Sequence, residues 1–137
     1  MNFRLIMAIS ERGMRWKIFE KVNKDNWKLV GKGEYEIKGR KLLFRSCKIS
    51  FSEEKGILVY SNGEWKPYDG FYIMAEGNEG MIVFNCMGKG KLLKISPATI
   101  RFLLFMLDIP IEDKIKMRDI IFEVLEDYLN LIKKVNV

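Results

Sequence analysis

Histidine is absent from this chain. The side chain that most often serves as general base and metal ligand near neutral pH is therefore unavailable to it. Glutamine is absent too, and Thr99 is the sole threonine. Cys47 and Cys86 lie far apart, with no CxxC spacing. In a basic chain with no signal peptide they are expected to be reduced and buried, a disulfide being the alternative in a heat-adapted protein. No serine stands in a nucleophile elbow and no GxxxxGK[ST] loop is present, so the familiar hydrolase and nucleotide-binding signatures are excluded. "GKG" occurs at 31–33 and 88–90, and neither copy continues as a dinucleotide fingerprint. Long hydrophobic runs are missing as well. "FRLIMAIS" (3–10) is apolar but far too short to span a bilayer, and no small-residue cleavage site follows it. A cytoplasmic location without membrane contact is the expectation.

What is present is a core and a charge. With 137 residues, 48% of them hydrophobic and 31% charged, the chain fits one domain over 1–137. The net charge of +6 favours acidic partners, nucleic acid first and an anionic membrane surface second. Lysine, glutamate and isoleucine are abundant and amides scarce, as in hyperthermophile proteins. That points to an archaeal host or a virus of one, and it also explains a lysine excess without any nucleic acid.

Hydrophobic periodicity divides the chain into a sheet part (14–96) and a helical part (97–135). "MRWKIFEKV" (14–22) alternates, with Met14, Trp16 and Ile18 on one face and Arg15, Lys17, Phe19 and Lys21 on the other. "WKLVGKGEYEIKG" (27–39) reads as a strand with a bulge or bend at Gly31 and Gly33. "KLLFRSCKISF" (41–51) reads as a long alternating strand with Phe44, Ser46 and Lys48 on one face. Asn62-Gly63 suits a two-residue hairpin turn within 57–68. A second hairpin is predicted around Glu76–Gly80, and "KLLKI" (91–95) is the last strand. Ser96 is the predicted N-cap, and Pro97 the first residue, of an apolar, largely buried helix over 98–109. Pro110 ends it, and a second helix runs from about Ile111 to Lys134. On that helix Met117, Ile121, Val124, Tyr128, Leu131 and Val135 step by 4, 3, 4, 3 and 4, a heptad seam. The seam either packs on the chain's own sheet or makes 111–135 a dimerisation helix, and its sustained period of about 3.5 favours the partner helix. The predicted fold class is α+β: a bent, mostly antiparallel sheet of about six to eight strands followed by two C-terminal helices.

Carboxylates Asp119, Glu123 and Glu126 share a side of the last helix. They read either as a solvated face or as ligands of a small metal-dependent nuclease. The basic and aromatic pattern says more. Arg15, Lys17 and Phe19 on one strand, Lys28 and Lys32 on the next, and Phe44 and Lys48 on a third place cations among flat rings. That combination neutralises phosphates and stacks bases of a single strand. The alternative is that Phe19 and Phe44 sit in a second apolar layer with the lysines reaching past them. Trp27, Trp65 and Tyr72 are further rings whose faces the pattern does not assign.

"GKGKLLKISP" (88–97), after successive hairpins and before a helix, resembles the positive-cofactor-four (transcriptional coactivator) and Whirly group of single-stranded DNA-binding proteins. More loosely it resembles the ThermoDBP type. The likeness covers roughly 56–135 as an order of elements. It implies a basic turn at Lys89 and Lys91, a last strand through Leu93 and Ile95, and a helix start at Ser96-Pro97. Ile100 departs from it, since the coactivator family tends to carry an aromatic there. The expected function is single-stranded DNA or RNA binding by a homodimer, without catalysis or cofactor. Arg15, Lys17, Lys28, Lys48, Lys89 and Lys91 would hold phosphates, and Phe19 and Phe44 would stack bases. A protein-interaction module whose exposed aromatics meet a partner protein is the second reading.

Overall fold

The computed structural model describes residues 2–42 and 48–135. The fold is α+β, and the described residues form nine antiparallel strands in two sheets ahead of two helices. Strands β1 (Phe3–Ser10), β2 (Gly13–Asn23) and β3 (Asn26–Glu36) form a meander. The chain then leaves to build a small sheet from β4 (Lys48–Ser52), β5 (Gly56–Ser61) and β6 (Glu64–Pro67). It returns as β7 (Phe71–Glu76), which pairs with the free side of β1, and continues as β8 (Glu79–Cys86) and β9 (Lys89–Lys94). The large sheet therefore has the order β3-β2-β1-β7-β8-β9, with β1 inside it. The stretch 3–10, notable in the sequence only as a short apolar run, is this interior strand. Phe3, Leu5, Met7 and Ile9 are buried on one face, while Arg4 and Ile6 are exposed on the other.

Turn chemistry sets the hairpins. Asn62 (φ 52°) and Gly63 (φ 84°) both occupy the left-handed region, as the predicted β5–β6 turn requires. The β7–β8 hairpin turns at Gly77 (φ 57°) within the expected segment. The basic glycine turn is Met87-Gly88, both with positive φ, so Lys89 already begins β9. Of the long strand expected over 41–51, Lys41 and Leu42 lie outside any strand, and the residues from Lys48 onward belong to β4. Phe44 and Cys47 lie outside the described residues.

Helix α1 (Pro97–Met106) is capped by Ser96, whose hydroxyl accepts from the Thr99 N–H at 3.1 Å, with Pro97 in the first turn. Its burial departs from the expectation. Ile100, Leu103 and Leu104 are buried, but Phe102, Phe105 and Met106 face water. Helix α2 (Ile111–Val135) resolves the heptad seam. Met117, Ile121, Val124 and Tyr128 are buried against the chain's own sheet, in one core with Leu5, Met7, Ile73 and Ile82. The Tyr128 hydroxyl lies 3.0 and 3.1 Å from the carbonyls of Phe3 and Gly77, tying the helix to the ends of β1 and β7. No helix among the described residues is long and apolar enough to cross a membrane.

Near the start of α2, Tyr35 of β3 donates its hydroxyl to Asp113 Oδ1 at 2.6 Å. That bond, helped by burial, pushes the Tyr35 phenol up to about 12 from 10.0. Burial pushes Tyr128 up to about 12 as well, and Tyr68 well above its ordinary value. The folded state thus favours the neutral phenols, while the unfolded chain ionises near pH 10. The stability they contribute is intact below that pH and drains away as pH rises toward about 12. Alkaline titration followed by phenolate absorbance and circular dichroism should show these tyrosines ionising late, together with unfolding. Tyr35→Phe should flatten the pH dependence. Titration of all five tyrosines near pH 10 with the fold intact would contradict this.

Candidate functional site

The helices cover one face of the large sheet. On the other, the strand register aligns side chains in rows. Arg4, Ile6 and Ala8 stand beside Phe19, Lys17 and Arg15 of β2 and beside Glu76, Met74 and Tyr72 of β7. The β2 faces are divided as the alternation predicts, with Met14, Trp16 and Ile18 turned to the core. The small sheet covers one end of this open face. Ile57 and Val59 of β5 are buried, as are Leu42 and Val83. Asn85 of β8 joins the two sheets: its side-chain oxygen accepts from the Ile57 N–H at 2.6 Å and its amide donates to the Ile57 carbonyl at 3.1 Å. A Cβ at Gly56 would collide with the Asn85 side chain.

The other end is bare. Ile6, Met74 and Met81 form an apolar floor about 40% exposed, with Leu29 and Leu92 at its sides. Cations surround it. Arg4 is held by Glu76 at 2.7 Å, and its guanidinium lies 4.0 Å over the Trp27 ring. The Lys21 ammonium is 5.9 Å from the same ring, and half-buried Phe19 stands next to Arg4. Arg15 belongs to the covered end, beside Leu42, Ile49 and Val59, and reaches Glu34 at 3.6 Å. Lys17 stands directly opposite Lys32. Among the described residues neither lysine has an ion-pair partner. Like charges facing each other across a strand pair oppose folding, so this pair lowers stability until an anion neutralises it. Lys94, opposite Met81, ends the row on β9.

Of the residues singled out from the sequence, the fold brings together Arg15, Lys17 and Phe19, with Lys32. Lys28 is not with them. Ile18 pairs Gly31 but Phe19 pairs Leu29, so Val30 is an extra residue in β3. This bulge reverses the alternation, and Lys28 emerges beside Glu20 on the helix side. Gly33 makes room for packing, because the Trp16 ring occupies the space a side chain there would need. Lys48 is on the small sheet, opposite Tyr60, whose ring contacts that of Trp65 at 5.3 Å. Lys89 and Lys91 pair with Cys86 and Phe84 at the far edge, on the helix side. Sequence reasoning passed over Arg4 and Lys94, and named Trp27 as a ring without assigning its face. The signal for Arg4 was present, because 3–10 alternates once it is read as a strand.

Cys86 is exposed, contrary to the expectation of burial. Asp119 is bound to Arg118 at 3.0 Å, and among the described residues no three carboxylates or thiols converge as metal ligands. The chain matches no family model, no curated protein and no solved structure.

Proposed function

We propose that the bare end of the open sheet face binds single-stranded nucleic acid. The observation that carries this reading is the unpaired, like-charged Lys17–Lys32 pair among further cations and two aromatic rings. Phosphates relieve the repulsion, and unpaired bases gain flat apolar surface on Phe19, the Arg4–Trp27 stack and the Ile6–Met74–Met81 floor. A duplex hides its bases and offers only its phosphates. Nothing in the arrangement favours one base over another, so sequence preference is expected to be weak.

The test is a fluorescence-anisotropy titration with single-stranded DNA, single-stranded RNA and duplex DNA. Single strands should bind at micromolar concentration or below at low salt, and duplex more weakly. The logarithm of affinity should fall by roughly 0.7 per neutralised phosphate for each decade of salt. Equal affinity for duplex, or no binding at low salt, would overturn the proposal.

The exposed aromatics on the helix side favour a second reading, attachment to a partner protein. They lie on the opposite face of the sheet, so the two activities do not compete for surface.

A further inference from the structure

Helix α1 is apolar on both sides. While Ile100 and Leu104 enter the core, Phe102, Phe105 and Met106 on its outer side are 61–70% exposed. Ile111 and Ile115, from the first turns of α2, extend the exposed apolar surface around the corner. A contiguous patch of such large side chains marks an interaction site on a soluble protein. Between the two helices lies a hollow of about 180 Å³, lined by Leu104, Phe105, Ile111 and Ile115.

The rim of the hollow is cationic, with Arg101, Lys114 and Arg118. The Lys114 ammonium donates to the Phe105 carbonyl at 2.5 Å and lies 5.0 Å over its ring. Arg101 lies 5.4 Å over Phe122. Of the neighbouring carboxylates, Asp113 accepts from Tyr35, Asp119 is bound to Arg118 of the rim, and Glu112 is exposed beside Ile111.

We propose that the α1–α2 corner docks a short acidic segment of a partner protein, with an apolar side chain seated in the hollow and Asp or Glu residues meeting Arg101 and Lys114. Charge selects this occupant over two others. A second copy docked symmetrically would set these cations against themselves. A membrane would present an anionic plane to the whole outer side of α2, where Asp119, Glu123, Glu126 and Asp127 are exposed and would repel it. A short segment touches the cationic corner alone, in the manner of an amphipathic helix laid in a groove.

The test is selection of a displayed random peptide library on the immobilised full chain. Enriched peptides should combine Asp or Glu with Leu, Ile or Phe. Phe105→Ser and Ile115→Ser should each weaken them by about tenfold or more. Lys114→Glu should weaken the acidic peptides and improve binding of versions in which lysine replaces their acids. Phe105 is 70% exposed, so its variant should keep the wild-type circular dichroism and oligonucleotide affinity. Enrichment of neutral or basic peptides, or affinity indifferent to Phe105→Ser, would overturn the proposal. So would a dimer that Phe105→Ser disperses, or capture by phosphatidylserine vesicles in place of acidic peptides.

Discussion

Ile121→Asp is expected to unfold the chain. Ile121 is fully buried, between Met117 and Val124 on the face of α2 that meets the sheet. Truncating such a side chain to alanine costs about 2–5 kcal/mol. Among the described residues no charged side chain is buried, so a carboxylate at 121 would have no buried cation to pair with, and such a charge is costly enough to exceed the ordinary range of single substitutions. Against a total stability of about 5–15 kcal/mol, the variant should lack a cooperative urea transition or show one at a much lower midpoint. Leu129→Asp is the control. Leu129 is 51% exposed, and its replacement should shift stability by no more than about 0.5 kcal/mol. A folded Ile121→Asp chain that had merely changed from dimer to monomer would show that the seam serves a partner helix after all.

The seam illustrates what the sequence makes legible and what it does not. A spacing of 4, 3, 4, 3 and 4 fixes which side of α2 is apolar, and Met117, Ile121, Val124 and Tyr128 are all buried. Its period of about 3.5 favours a partner helix but does not decide what covers them, because a helix on a sheet and a helix on a helix both require one such stripe. The hairpins were legible for a different reason. Asn62-Gly63 has a backbone preference that acts locally, and Ser96-Pro97 caps α1 through contacts within one turn. The central position of β1 depended on β7 returning after an excursion of more than thirty residues, and pairing at that range leaves no local mark.

The candidate site divides the same way. Alternation along β2 correctly grouped Arg15, Lys17 and Phe19, since the period of a strand is enforced residue by residue. Extending the group to Lys28 assumed that β3 keeps its period. The glycines at 31 and 33 signalled an irregularity, but not that Val30 would be the extra residue. Lys48 belongs to another surface because it is on the small sheet, and Lys89 and Lys91 because they fall on the helix side of β9, opposite to Lys94. Arg4, Trp27 and Lys94 join the site through strand order, which the sequence does not display.

Reversing one lysine of the Lys17–Lys32 pair should strengthen the fold and weaken binding at once. In Lys32→Glu, Lys17 faces a carboxylate across the strand pair instead of an ammonium. An opposite-charge cross-strand pair contributes about 0.2–1 kcal/mol, and the repulsion it replaces is also relieved, so the urea midpoint should rise. The same change removes one phosphate contact and puts a negative charge among the remaining cations. Affinity for single strands should drop by about tenfold at low salt, and the salt slope should decrease by roughly 0.7. Lys17→Glu should behave alike. In the double variant two carboxylates face each other, the gain in stability is lost, and affinity should fall by about 100-fold, some 2.7 kcal/mol. Stability and affinity moving in opposite directions for the single changes separates a binding surface from an ordinary solvated one, where only stability would respond. Unchanged oligonucleotide affinity in the double variant would mean that this face holds no nucleic acid, whatever its charge.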